Sequence, residues 1–218
     1  MKSLEVFDRL LQHYGPQDWW PGESSLEIIV GAILTQNTAW KNVERAIENL
    51  RSANVLTVQA MRNLDHEELA ELIRPAGYFN VKARRLRNFL EFLEEQYGSS
   101  LSDMFSTGLT QLRIELLGVN GIGPETADSI LLDAGQLPSF VVDAYTGRVL
   151  KRHGWIHEDA DYEAMKSLFE RQLPRETALF NEFHALIVRL GKEHCQTRPQ
   201  CDACPLADLL PLDGPRLK

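Results

Sequence analysis

Twelve residues near the middle of the chain, Leu116-Leu117-Gly118-Val119-Asn120-Gly121-Ile122-Gly123-Pro124-Glu125-Thr126-Ala127, combine three glycines, an apolar Ile122 between two of them, and a proline placed to open a helix. Such a turn brings bare backbone N–H groups to a helix N-terminus, where anions bind, and glycines let a diester phosphate come close. Taken alone, the pattern is equally the strain relief of a tight αα-hairpin. About twenty residues later, Phe140-Val141-Val142-Asp143-Ala144-Tyr145-Thr146-Gly147-Arg148-Val149 sets one carboxylate after an apolar run, beside aromatic and basic residues. An Asp in that place is either a helix N-cap or a charge that balances a cation forming in a reaction.

Three of the four tryptophans fall in Asp18-Trp19-Trp20-Pro21 and Thr38-Ala39-Trp40. Clustered rings either stack on a flat ligand or pin a helix onto a core, and for at least one of Trp19 and Trp20 the two uses are evenly balanced. Near the C-terminus, Cys195, Cys201 and Cys204 follow a Cys-x5-Cys-x2-Cys spacing whose second step suits metal ligation. Three thiolates are an incomplete set. His194 or Asp208 would have to complete a cluster or a zinc site, and free thiols are the favoured alternative.

With 218 residues, 44% hydrophobic and 25% charged, the chain has room for one sizeable core or two modest ones. No apolar run approaches the roughly 20 residues of a membrane span. The first residues open an amphipathic segment rather than an export signal, and an odd number of cysteines cannot build a secreted disulfide framework. A cytoplasmic protein without a membrane partner is expected. The balance of 23 Lys and Arg against 31 Asp and Glu, net −8, argues against coating nucleic acid by bulk charge. The charge is nonetheless segregated: Arg74, Lys82, Arg84, Arg85 and Arg87 occupy a stretch without an acid, and so do Arg148, Lys151 and Arg152. Such runs are solvated helix faces or a local basic face.

Helical periodicity positions these groups throughout, and no alternating β-branched stretch is framed by hairpin turns. Leu4, Phe7, Leu10 and Leu11 predict a first helix ending at Gly15-Pro16, and Ser24-Ser25-Leu26-Glu27 reads as a capping box opening a second through Leu34. Further helices are expected over 42–50, from Asp65 to about Arg74, and from about Asn80 to Tyr97 with Leu86, Phe89, Leu90 and Leu93 inward. Helices over 110–117 and 124–134 flank the glycine turn, and others follow over 142–153, 161–173 and 176–192. The expected class is all-α.

In order along the chain, these motifs resemble the helix-hairpin-helix (HhH-GPD) DNA glycosylases of the endonuclease III superfamily. There a hairpin of the Leu-x-Gly-x-Gly-x-Gly type is followed by Val-Asp opening a helix; here Leu116-x-Gly118-x-x-Gly121-x-Gly123, one residue longer in its first glycine step, is followed by Val142-Asp143. Gly31-Ala32-Ile33-Leu34-Thr35-Gln36-Asn37-Thr38 is similar to the family's Leu-x-x-Gln segment, and Gly77-Tyr78-Phe79-Asn80-Val81-Lys82-Ala83 to its second DNA-probing loop. The resemblance implies two helical lobes with a DNA-binding groove between them. Residues 26–137 would form a six-helix lobe whose hairpin covers about 112–134; residues 1–25 with 138–218 would form the second, carrying Asp143 and the cysteine tail. Double-stranded DNA with a damaged base is the implied partner of a monomeric, nucleoid-associated enzyme.

The resemblance also distributes roles. Asp143 would be the carboxylate that stabilises a cation-like sugar and helps activate water while a base is expelled. Glu125 stands where lyase members carry a Lys, and since Glu cannot form an imine, hydrolysis without strand cleavage is implied. The Trp-Trp-Pro order with an aromatic past Gln36 looks like the 3-methyladenine DNA glycosylase III branch. Trp19, Trp20 and Trp40, with Lys192 and Glu125, would then line a base pocket that selects cationic alkylated purines by stacking. Gln36 would face the orphaned base and Tyr78 would wedge between base pairs, while Lys82, Arg84, Arg148 and the hairpin's Gly118, Gly121 and Gly123 would meet the backbone. The family's fourth cluster cysteine is replaced by Leu210, so no cofactor is expected, a [4Fe-4S] cluster being the alternative. Another base specificity of endonuclease III type, or a non-catalytic helix-hairpin-helix DNA-binding protein, are the competing functions.

Overall fold

The computed structural model describes residues 1–19 and 22–216. In chain order the α-helices are α1 (Ser3–Tyr14), α2 (Ser25–Leu34), α3 (Trp40–Ser52), α4 (Val58–Asn63), α5 (His66–Leu72), α6 (Phe79–Tyr97), α7 (Leu101–Ser106), α8 (Leu109–Gly118), α9 (Pro124–Ser129), α10 (Ala144–Arg152), α11 (Tyr162–Glu170) and α12 (Thr177–Glu193). No strand occurs among the described residues. The chain divides into two compact units, Met1–Trp19 with Pro138–Lys218, and Trp20–Leu137.

The unit from Trp20 to Leu137 is built around α2, whose Leu26, Ile28, Ile29, Val30, Ile33 and Leu34 are all buried. A helix apolar on every side belongs inside a core, and each such side chain contributes about 1.5–3 kcal/mol by leaving water. Helix α6 supplies Leu86, Phe89, Leu90 and Leu93 to the same cluster. Among its described residues the unit contains eight α-helices where six were expected, the additions being α4 and α7. Each is six residues long, capped by Thr57 or Ser100, and buries one methionine, Met61 or Met104, too short to show a period. Residues 22–25, expected in the other lobe, belong here, because Ser24 caps α2 and Ser25 Oγ donates to Ala134 O at 3.1 Å. The capping box expected at Ser24 is only half formed. Ser24 Oγ accepts from Glu27 N, but the Glu27 carboxylate is taken by Arg51 Nη2, 3.0 Å from both oxygens. A complete reciprocal box sits instead at Asp65 and Glu68.

The unit of the two termini packs on α12, which buries Phe180, Phe183, Leu186, Ile187 and Leu190. Phe140 stacks on Phe169 with centroids 4.0 Å apart, and Phe183 meets both edge-on. Buried Lys166 binds Ser139 Oγ and Glu170, and Glu170 in turn accepts from Phe140 N at 3.0 Å. These contacts pin the extended segment that delivers Asp143 to the start of α10. No described helix is long and apolar enough to cross a membrane.

Candidate functional site

Asp143 is the N-cap of α10: its Oδ1 accepts from Thr146 N at 2.7 Å and from Thr146 Oγ1 at 2.8 Å. Its Oδ2 faces His184 Nε2 from α12 across 3.8 Å, beyond direct hydrogen-bond distance and an ion pair when the imidazole is protonated, with both side chains largely buried. Burial works to raise the Asp143 carboxyl, yet the nearness of His184 and the two Thr146 donors outweigh it and hold it below the ordinary carboxylate range. A carboxylate that stays ionised out of water is suited to balancing a developing positive charge.

Around this pair the same unit gathers more of the expected residues. The Trp19 ring meets the His184 ring edge-on with centroids 6.4 Å apart, and Lys192 Nζ lies 5.9 Å from the centre of the Trp19 ring. Tyr145 lies against Gly191, where an added Cβ would fall 2.2 Å from a ring carbon, so only glycine allows α10 and α12 this approach. Arg148 stacks over Tyr145 at 4.8 Å and donates to Cys195 O, which directs it inward. His184 was missed by the sequence reasoning. Its signal was present, a histidine on the apolar face of the last helix between Phe183 and Ile187. Trp20 and Pro21 lie outside the described residues.

In the other unit, the hairpin turn runs from α8 to α9. Gly121 has φ +98°, and a Cβ there would fall 2.3 Å from Arg85 Cγ, so the position demands glycine twice over. Buried Ile122 plugs the turn from beneath, and the Gly118 and Gly123 α-carbons face open space. Gln36 Nε2 donates to Gly121 O at 3.1 Å and Thr126 Oγ1 at 2.9 Å, Arg85 donates to Gln36 Oε1, and Asn88 donates to Asn120 O at 2.8 Å. Gln36 is thus a strut of the turn in this state. Glu125 is exposed on the first turn of α9, and Trp40 packs against the core of this unit.

Three of the four basic residues of the α6 run, Lys82, Arg85 and Arg87, are engaged within the protein. Lys82, expected on a phosphate, is instead 1% exposed, and its Nζ donates to Leu34 O at 2.9 Å and Ala76 O at 2.7 Å, which leaves it no reach to the backbone of DNA. Burial, then the charge of Arg85, lowers its pKa to about 8. The ammonium ties the end of α2 to the turn before Tyr78 and so fixes the loops that carry Gln36 and Tyr78. Arg87 donates to Leu64 O and Arg84 is exposed, while Arg74, ahead of α6, pairs with Glu71 at the surface. Tyr78 is 72% exposed and sits in the left-handed region at φ 47°, which costs a non-glycine residue roughly 1–2 kcal/mol. A strained backbone that holds an aromatic ring out into solvent fits a wedge.

Cys195, Cys201 and Cys204 are free thiols around a cavity of about 10 Å³ that Leu210, His194 and Arg152 also line. Burial pushes the Cys201 and Cys204 thiols above the ordinary thiol range. Arg152 Nη1 lies 3.3 Å from Cys195 Sγ and donates to Gln196 O, while its Nη2 donates to Thr197 O at 2.9 Å. Among the described residues no group of three or more His, Cys, Asp or Glu is placed to hold a metal ion. A space the size of one water, an apolar fourth position and an arginine in the ligand shell do not fit a four-thiolate cluster.

Residues 30–175 match the family model for HhH-GPD superfamily base excision DNA repair proteins. A Methanocaldococcus jannaschii protein provisionally named a DNA repair glycosylase is 49% identical over 206 residues, 94% of this chain and 93% of that protein. Endonuclease III of Sulfolobus acidocaldarius is 29% identical over 182 residues, 83% of this chain and 78% of the relative. Among solved structures, the 3-methyladenine DNA glycosylase of H. pylori bound to 1,N6-ethenoadenine is similar with TM-score 0.76 and 29% identity, over 88% of this chain and 98% of that one. A trapped endonuclease III–DNA intermediate shares the fold at TM-score 0.81 and 21% identity, over 96% and 95% of the two chains.

Proposed function

The chain belongs to the HhH-GPD superfamily of base excision DNA repair proteins, as a DNA glycosylase, and from that premise we propose that it hydrolyses the N-glycosidic bond of alkylated purines of the 3-methyladenine type without cutting the strand. The observation that carries this reading is that the chain has both an ionised, N-capping Asp143 and, at position 125, a Glu and not a Lys. A lyase needs an amine to form an imine with the sugar, and the hairpin offers a carboxylate instead. A hydrolytic glycosylase needs a carboxylate near C1′ as the sugar becomes cationic, together with a water.

The remaining residues then divide the work. The exposed hairpin turn and Arg84 would hold phosphates, and Tyr78 would occupy the stack while the damaged nucleotide is extruded. Trp19 would stack on the flipped ring. An alkylated purine is electron-poor and already weakly bonded to its sugar, so stacking supplies selectivity and little leaving-group assistance is required. The H. pylori neighbour holds 1,N6-ethenoadenine, a purine adduct, which supports this substrate class. The reading requires no cofactor.

Borohydride reduction during turnover tests the hydrolytic mechanism. No covalent protein–DNA complex is expected, and efficient trapping would show that some amine attacks the sugar. Affinity for abasic-site DNA should fall with salt, with a log–log slope of about −0.9 per neutralised phosphate, despite the net charge of −8. A flat salt response would instead remove DNA as the partner.

A further inference from the structure

We propose that His184 is a positioning residue for the reaction: it holds the Asp143 carboxylate ionised and leaves Oδ2, not Oδ1, as the oxygen that faces the reacting sugar and water. The proposal rests on Asp143 being the catalytic carboxylate. The geometry separates the two oxygens. Oδ1 is committed, since it accepts from both Thr146 N at 2.7 Å and Thr146 Oγ1 at 2.8 Å, donors on the rigid first turn of α10. Oδ2 looks across 3.8 Å at His184 Nε2, close enough for a protonated imidazole to interact with the carboxylate and too far for it to use up the oxygen.

The surroundings keep the imidazole in place. His184 lies within a buried run of α12, and its ring meets the edge of Trp19. The neighbouring ionisable groups are directed elsewhere: on α10, Tyr145 lies against Gly191 and Arg148 reaches Cys195 O, and on α12, Lys192 lies over Trp19. His184 is therefore the titratable group facing the carboxylate from the helix packed against α10. Without it, burial would act on Asp143 opposed only by Thr146, and the carboxyl would hold its proton to a higher pH.

The pairing and its use in catalysis can be read separately. Carboxyl-carbon NMR titration of Asp143 should show a midpoint higher by about one unit or more in His184→Ala than in the wild type, with His184→Gln between the two because an amide N–H can face Oδ2. The reciprocal measurement uses Asp143→Asn, in which the His184 ring should titrate at lower pH; it stands even if the His184 variants fold poorly. In single-turnover excision of methylated DNA, His184→Ala should lose about 10- to 100-fold in rate with abasic-DNA affinity kept within about twofold, and His184→Gln should recover most of the loss. The acid limb of the His184→Ala rate profile should move to higher pH. Unchanged midpoints in both directions overturn the pairing. Shifted midpoints with an unchanged rate overturn its part in catalysis. A wild-type protein that releases no base refutes the proposed function, while the titrations still decide the pairing.

Discussion

The glycine turn at residues 118–123 and the carboxylate at Asp143 meet opposite physical demands. The turn is exposed and braced from behind by Gln36, Arg85 and Asn88, so what it presents outward is backbone. Asp143 is largely buried, with one oxygen spent on the helix start and the other set against a histidine. A backbone surface needs particular backbone angles and tolerates changes of charge nearby. A buried carboxylate needs its charge and tolerates little. Binding and chemistry should therefore come apart under mutation.

The largest separation is expected for Asp143→Asn, which keeps the shape and removes the charge. Single-turnover base release should drop by about 10²- to 10³-fold while abasic-DNA affinity changes less than about threefold. Retention of most of the rate would leave Asp143 a simple N-cap. Next comes Trp19→Ala, where a lost stacking partner worth roughly 1–3 kcal/mol should slow 3-methyladenine release by about five- to a hundredfold and weaken abasic-site binding far less. Equal losses in both would make Trp19 a packing residue. Gly121→Val should do the reverse, because a β-branched residue at positive φ, driven against Arg85, distorts the turn. Affinity should fall by about tenfold, with the rate of the bound complex nearly unchanged.

The two unlike bases on α6 give the finest test. Lys82→Ala leaves two buried carbonyls without a donor and should lower thermal stability by an amount equivalent to about 2–4 kcal/mol, without altering the salt slope of DNA binding. Arg84→Ala should leave the melting temperature alone and flatten that slope by about 0.9. If Lys82 changed the slope and Arg84 did not, the buried contacts of Lys82 would be open when DNA binds.

This contrast also marks where sequence is readable. The hairpin was legible because glycine and proline restrict the backbone directly, and Gly121 confirms that restriction with a positive φ. The long helices were legible from apolar spacing, whereas α4 and α7 were not, being shorter than two periods. Side-chain destinations were harder. Lys82 and Arg84 stand two positions apart in one basic run, and only the curl of the chain at residues 74–78 decides that one turns inward to carbonyls. The partnership of Asp143 with His184 spans 41 residues and depends on how α10 packs on α12, for which no local pattern exists. The cysteines have a ligand-like spacing, and what that spacing does not tell is that their cavity is shared with Leu210 and Arg152.

The most direct test is to incubate the purified protein with methylated double-stranded DNA and identify, by chromatography, the bases set free and the state of the strand. Release of 3-methyladenine as the free base, leaving an intact strand with an alkali-sensitive abasic site, and release slowed by about 10²- to 10³-fold in Asp143→Asn, is the expected result. Release of oxidised pyrimidines instead, strand cleavage during turnover, or no base at all would contradict it.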